Sequence, residues 1–172
     1  AWEHQQGISL HLKANQQARL DGNILSRSAN QDETIMFWFK TAEKNSSIFS
    51  AGRADSKHGT EIAFVYGGMY FRNDSSSWPI AGNYTDNEWH HLAIAIDRTH
   101  NNAAVYVDDV LRQTINASKL SAVSGAMFLG GKGFEGNIDQ FLIFEQALPK
   151  TMLESFGTMA PVGDEMGLIA FL

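Results

Sequence analysis

The chain has 172 residues, 44% hydrophobic and 19% charged, which is enough for one domain with a sizeable core. Thirteen Lys and Arg against nineteen Asp and Glu give a formal charge of -6, so no basic face is available to neutralise a phosphate backbone, and no nucleic acid partner is expected. Cysteine is absent, which excludes disulfides, thiolate metal ligands and cysteine nucleophiles, and no apolar run reaches the ~18 residues that membrane insertion requires.

In chain order, period-2 segments bounded by turn residues predict strands over Thr34 to Lys40, Glu61 to Tyr66, Met69 to Arg72, His91 to Asp97, Ala103 to Asp109, Ala126 to Gly131 and Asn137 to Glu145. Between them, "AEKNSS", "GRADSKHG", "YGGM", "NDSSSWPIAGN" and "DRTHNN" carry the Gly, Asn, Asp and Ser that turns require. "GGKGFEG" follows no helix-opening pattern and reads as a strand-to-strand loop. One short helix is predicted in "ALPKTMLESFG", with Pro149 at its first position, Met152, Leu153 and Phe156 at helical spacing, and Gly157 ending it. Short strands at regular spacing make the expected fold an all-β, two-sheet antiparallel β-sandwich with one short C-terminal helix. The expected organisation is one domain over residues 1–157, then a linker over 158–172. There "LIAFL" begins what reads as the next domain of a longer chain.

The segment "NEWHHLAIAID" looks most like chemistry, because it sets His90 beside His91. Neighbouring strand residues point to opposite faces, so the two imidazoles are not expected to converge on one metal ion or substrate atom. Leu92, Ile94 and Ile96 fall on one face. Trp89, His91, Ala93 and Ala95 fall on the other, small enough in part to admit a covering layer.

"EWHHLAIAID", followed by "AAVYVDDVL", "FLGG" and "FEGNIDQFLIFEQALP", resembles the LamG-like jellyroll family of the concanavalin A-like lectin/glucanase superfamily. Upstream, "LDGN", "TIMFWFK" and "SSIFSAG" stand in the same order, so the resemblance covers residues 8–157. It implies a two-sheet jellyroll, commonly an extracellular or cell-surface recognition module attached to other domains. One departure is Asp109, where the family usually has Gly; Asp tolerates a left-handed turn less well than Gly and better than most residues. Four Asn-X-Ser/Thr acceptor sites, at Asn45, Asn73, Asn83 and Asn116, fall in predicted loops; the lack of cysteine favours a bacterial source, in which they have no use.

Glycan hydrolases of the superfamily carry a Glu-x-Asp-x-x-Glu cluster on one strand, which this chain lacks. The only acid pair two residues apart, Asp86 and Glu88, falls in a turn. Glu135 and Asp139 lie four apart, roughly 13 Å on a strand, against about 5 to 5.5 Å for a retaining pair. Catalytic residues are therefore not expected. The resemblance also implies a structural calcium ion, with Asp21 and Asp139 as candidate ligands; their alternative roles are shaping a turn and binding backbone amides.

Sugar recognition needs aromatic platforms and polar groups that fix orientation. The candidate ligand residues are Trp78 and Tyr84 in the polar stretch "NDSSSWPIAGNY", with Tyr70 and Arg72 on one face of the strand before it. Trp78 either meets a ligand or folds over the sandwich edge. The expected function is a non-catalytic, lectin-like module binding a glycan or surface-protein ligand. The alternatives are a spacer domain without a ligand site and a glycoside hydrolase.

Overall fold

A computed structural model describes residues 9–20, 31–52, 59–120, 126–158 and 168–171. Thirteen strands appear in chain order: β1 (Leu10–Leu12), β2 (Gln17–Leu20), β3 (Glu33–Thr41), β4 (Ser46–Ala51), β5 (Thr60–Val65), β6 (Gly68–Asn73), β7 (Ser76–Ile80), β8 (Trp89–Asp97), β9 (Asn102–Val107), β10 (Val110–Asn116), β11 (Met127–Gly130), β12 (Gly136–Phe144) and β13 (Leu168–Phe171). Among the described residues one α-helix, α1, spans Lys150–Thr158. All strand pairs are antiparallel and form two sheets. One has the order β1-β12-β3-β8-β9-β10 with β13 also on β12, and the other the order β2-β11-β4-β5-β6-β7.

Alternation along the strands builds the core. Phe37, Phe39, Leu92, Ile94, Val105 and Phe141 of the seven-stranded sheet face Phe49, Ile62, Phe64, Phe71, Met127 and Leu129 of the six-stranded one, all buried. Full burial of each such side chain contributes roughly 1.5–3 kcal/mol. The β3–β8 register sets Phe39 opposite His90 and Trp38 opposite His91, so the two histidines stand on opposite faces, as the alternation requires.

The far face of the seven-stranded sheet is covered as well. Met36, Ala93, Leu142, Phe144, Leu148 and Leu153 form a second apolar cluster, with Phe156 of α1 4.9 Å from Phe144 between ring centroids. Ala93 is the kind of small residue that lets α1 approach. Trp38 Nε1 donates to the Gly157 carbonyl at 2.8 Å and fixes the last turn. Pro149, expected at the first helical position, stands one residue before it, and its carbonyl accepts from Met152 and Leu153. Met152 departs from expectation and faces solvent at 40% exposure, while Gly157 lies inside the helix.

Three further expectations change. The polar stretch around Trp78 is not a loop: Ser76–Ile80 is an edge strand, hairpinned to β6 in the register Phe71↔Trp78 and Arg72↔Ser77. Pro79 is compatible with an edge, where a missing ladder donor does no harm. "LIAFL" does not stand apart from the sandwich, because its strand β13 pairs with β12. Asn73 is buried rather than looped out, and its Nδ2 donates to Thr60 Oγ1 at 2.9 Å, which removes it as an acceptor site.

Candidate functional site

The outward face of the six-stranded sheet carries the polar residues left over by the core. Because Ile62, Phe64, Met69 and Phe71 point inward, Glu61, Ala63 and Val65 of β5 and Tyr70 and Arg72 of β6 point outward. Pairing registers then align Arg19, Phe128, Ser50, Glu61, Arg72 and Ser77 in one row across all six strands. A second row runs Ser47, Ala63, Tyr70 and Pro79.

A groove of about 270 Å³ opens on this face, walled by Asn45, Ser47, Glu61, Val65, Arg72 and Lys132. Its floor holds the Glu61 carboxyl, on a side chain only 5% exposed. Arg72 Nη1 lies 3.2 Å from Glu61 Oε1, and Lys132 Nζ lies 4.0 Å from Oε2. A buried carboxyl without partners is costly, so the two cations account for its place. Glu61 is the only acid among the described residues of the groove wall. Tyr70, opposite Ala63 on the same face, is half-buried and outside the groove wall, with its ring laid over Gly68: a Cβ there would come within 3.2 Å of Tyr70 Cε2.

Of the four expected ligand residues, Arg72 lines the groove, and Tyr70 stands outside its wall on the same sheet face. Trp78 points the other way, half-buried against the core, with its ring 6.0 Å from that of Phe71. Tyr84 is 3% exposed, its hydroxyl donates to the Ala81 carbonyl, and its ring meets the His90 ring edge-on at 5.2 Å. Burial raises its pKa above the usual tyrosine value. Both aromatics are packing residues.

Of the calcium candidates, Asp21 lies outside the described residues. Asp139 accepts from the Gln140 backbone N–H at 2.8 Å, within a bulge of β12 against β3. Among the described residues no group of three or more His, Asp or Glu is placed to hold a metal ion.

The histidines are both structural. His91 is 2% exposed beside Trp38, and burial drives its pKa down to about 3, so it is neutral. His90 bridges two carboxylates: Nδ1 lies 2.6 Å from Asp108 Oδ2, and Nε2 lies 2.8 Å from Asp86 Oδ1. Burial pulls its pKa down, but the two carboxylates outweigh that and raise it. Asp86 also accepts from the Glu88 N–H at 3.1 Å, so the acid pair is a turn cap rather than a facing dyad.

Sequence reasoning missed Glu61, Lys132 and Asn45. Glu61 had a signal: an acid inside the apolar strand "TEIAFV" has to be paired if the strand is buried. Lys132 and Asn45 reach the groove from separate loops, which no local pattern reveals.

Residues 12–152 match the family described as the concanavalin A-like lectin/glucanases superfamily. No curated protein sequence matches the chain. Among solved structures, the sialidase CBM40 of Ruminococcus gnavus, bound to α2,3 sialyllactose, aligns with TM-score 0.69 and 12% identity, covering 89% of this chain and 97% of that one. The binding domain of Paraclostridial Mosquitocidal Protein 1 gives 0.64 and 14%, over 87% of this chain and 45% of that one. That of botulinum neurotoxin DC, in complex with rat synaptotagmin II, gives 0.65 and 18%, over 82% and 39%. The chain thus spans less than half the length of the toxin domains it matches. At these identities the likeness is one of fold.

Proposed function

The chain belongs to the concanavalin A-like lectin/glucanase superfamily, and from that premise we propose that it is a lectin-like recognition module whose ligand is a glycan held on the outward face of the six-stranded sheet. The observation that carries this reading is the open groove with Glu61 at its floor between Arg72 and Lys132. A spacer has little use for such a cluster, because well-packed apolar residues stabilise a fold as well as a buried ion pair does. Under a ligand, Arg72 and Lys132 offer donors, Glu61 and Asn45 acceptors, and Tyr70 an apolar surface, which matches a sugar with its hydroxyl rim and apolar ring face.

A glycosidase needs two carboxyl groups, and the groove wall supplies Glu61 alone among its described residues. The reading is therefore non-catalytic. The R. gnavus relative was solved with a sialylated sugar and the neurotoxin relative with a protein, so the fold presents both kinds of ligand. The groove's small volume and polar wall support the sugar. An extracellular or cell-surface place, beside other domains of a longer chain, belongs to the same reading.

The test is a glycan array probed with the parent chain and with Arg72→Ala, each checked by thermal melting. Binding by the parent that Arg72→Ala abolishes, with folding retained, is the expected result. A folded parent that binds no glycan, or an Arg72→Ala chain that binds the same glycans as well, removes the assignment.

A further inference from the structure

Tyr66 is explained by nothing in the fold. It holds the first position of the two-residue turn that joins β5 to β6, with Val65 opposite Gly68, and its φ is 50°. Left-handed backbone suits Asn, Asp and Gly in such turns and is unfavourable for a bulky aromatic. Among the described residues, six of the nine non-glycine residues with positive φ are Asn or Asp; the others are Tyr66, Lys132 and Gln140.

Of those three, Lys132 lies in the groove wall and Tyr66 adjoins it. Tyr66 follows the wall residue Val65, and its N–H donates to Oδ1 of another, Asn45, at 2.9 Å. Gly67 N–H donates to the Lys44 carbonyl at 2.9 Å and closes the turn. The surroundings thus hold the backbone in an unfavourable conformation, yet the side chain is 89% exposed, so packing does not account for it. Strain that the structure retains without a packing return is concentrated at functional sites.

An exposed tyrosine at the rim of a polar groove supplies an apolar ring for stacking. Among its described residues the groove carries two cations, Arg72 and Lys132, and the carboxyl of Glu61, in a chain whose formal net charge is -6. We infer that Tyr66 is the aromatic platform of this groove and that the ligand is an acidic oligosaccharide of at least two rings. Arg72 and Lys132 hold its carboxylate, and a neighbouring ring lies on Tyr66. The inference rests on the glycan-binding reading of the groove.

The experiment is calorimetric titration of the parent, Tyr66→Ala, Tyr66→Asn, Tyr66→Trp and Arg72→Ala with α2,3-sialyllactose, trigalacturonate and lactose. At least one acidic probe binds the parent about tenfold or more tighter than lactose, a difference of about 1.4 kcal/mol. Tyr66→Ala and Tyr66→Asn weaken that probe by about tenfold, as removal of an aromatic contact does, while Tyr66→Trp stays within about threefold. Tyr66→Asn also raises the melting temperature, because Asn accepts the left-handed backbone; a merely structural tyrosine would lose stability instead. Lactose binding as tightly as both acidic probes overturns the acidic ligand. Unchanged affinity in Tyr66→Ala and Tyr66→Asn, with binding lost in Arg72→Ala, overturns the platform and leaves the groove assignment standing. Binding of none of the three probes overturns this inference, whereas the groove assignment falls only if the glycan array is also blank.

Discussion

His90 and His91 show how far one residue step along a strand separates two chemistries. His91 is neutral in the fold because burial holds its pKa near 3, well below the ordinary value of 6.5. A histidine with a depressed pKa stabilises fully above its unfolded pKa, and that contribution is lost as pH falls from about 6.5 toward 3. His90 has the opposite sign. Its raised pKa makes its contribution complete below about 6.5, and it is lost as pH rises through the folded value. We predict that His91→Leu flattens the acid limb of a melting-temperature profile between pH 4 and 7, whereas His90→Gln lowers stability most at the acidic end of that range. Thermal melts at stepped pH check both; parallel profiles for parent and variants would refute the assignment. Either substitution costs about 1–3 kcal/mol near its stability maximum, through lost packing or hydrogen bonds. The opposite facing of the two rings was legible from strand periodicity alone. The Asp108 and Asp86 partners were not, because they come from a hairpin and a turn whose approach depends on the register of three strands.

At the scale of the element, the strands that the sequence displayed are those buried on at least one face with full pairing. β3, β5, β6, β8, β9, β11 and β12 fall within a few residues of their period-2 segments. β1, β2, β4, β7 and β10 had no such segment; β4 is paired on both sides, whereas the other four are edge strands. β10 exposes Val110, Leu111 and Arg112 and breaks register between Leu111 and Gln113, while β7 carries Pro79 and mostly exposed residues. An edge strand pairs on one side only, so its composition is free of the constraint that produces alternation. That is why Trp78 read as a loop aromatic when it is an edge residue on Phe71. Trp78→Ala should therefore lower unfolding free energy by about 2–4 kcal/mol, somewhat below the cost for a fully buried Trp, and leave glycan affinity unchanged. Urea denaturation and calorimetry on the one variant check it; weakened binding with unchanged stability would return Trp78 to the ligand site. The β9–β10 hairpin yields a second prediction. Asp108 and Asp109 both have positive φ, at 52° and 65°, but Asp108 is tied to both histidines, accepting from the His91 N–H at 2.8 Å, and Asp109 is not. Asp109→Gly should raise stability by about 0.5–1 kcal/mol, whereas Asp108→Gly should lower it, read as opposite shifts of the urea midpoint.

For the whole molecule, the sandwich divides its surfaces unequally. α1 and the apolar cluster beneath it close one face of the seven-stranded sheet, and the two sheets close the core between them. On the outward face of the six-stranded sheet the register aligns charged, aromatic and small polar side chains in rows. The sandwich and the resemblance were legible in the sequence, because both rest on local patterns repeated in order. The groove was legible only in part: the outward facing of Arg72 followed from one strand's alternation, but Glu61, Lys132 and Asn45 line the groove with it through pairings and loops that no single segment encodes. Backbone amide chemical-shift mapping of the isotopically labelled chain, titrated with α2,3-sialyllactose or with the tightest glycan from the array, locates the bound ligand on the sandwich. Shifts concentrated on Asn45, Ala63, Val65, Tyr70, Arg72 and Lys132, with His90, Trp78 and α1 silent, are the predicted result. Shifts centred instead on the β7–β10 edge or on α1 would contradict it.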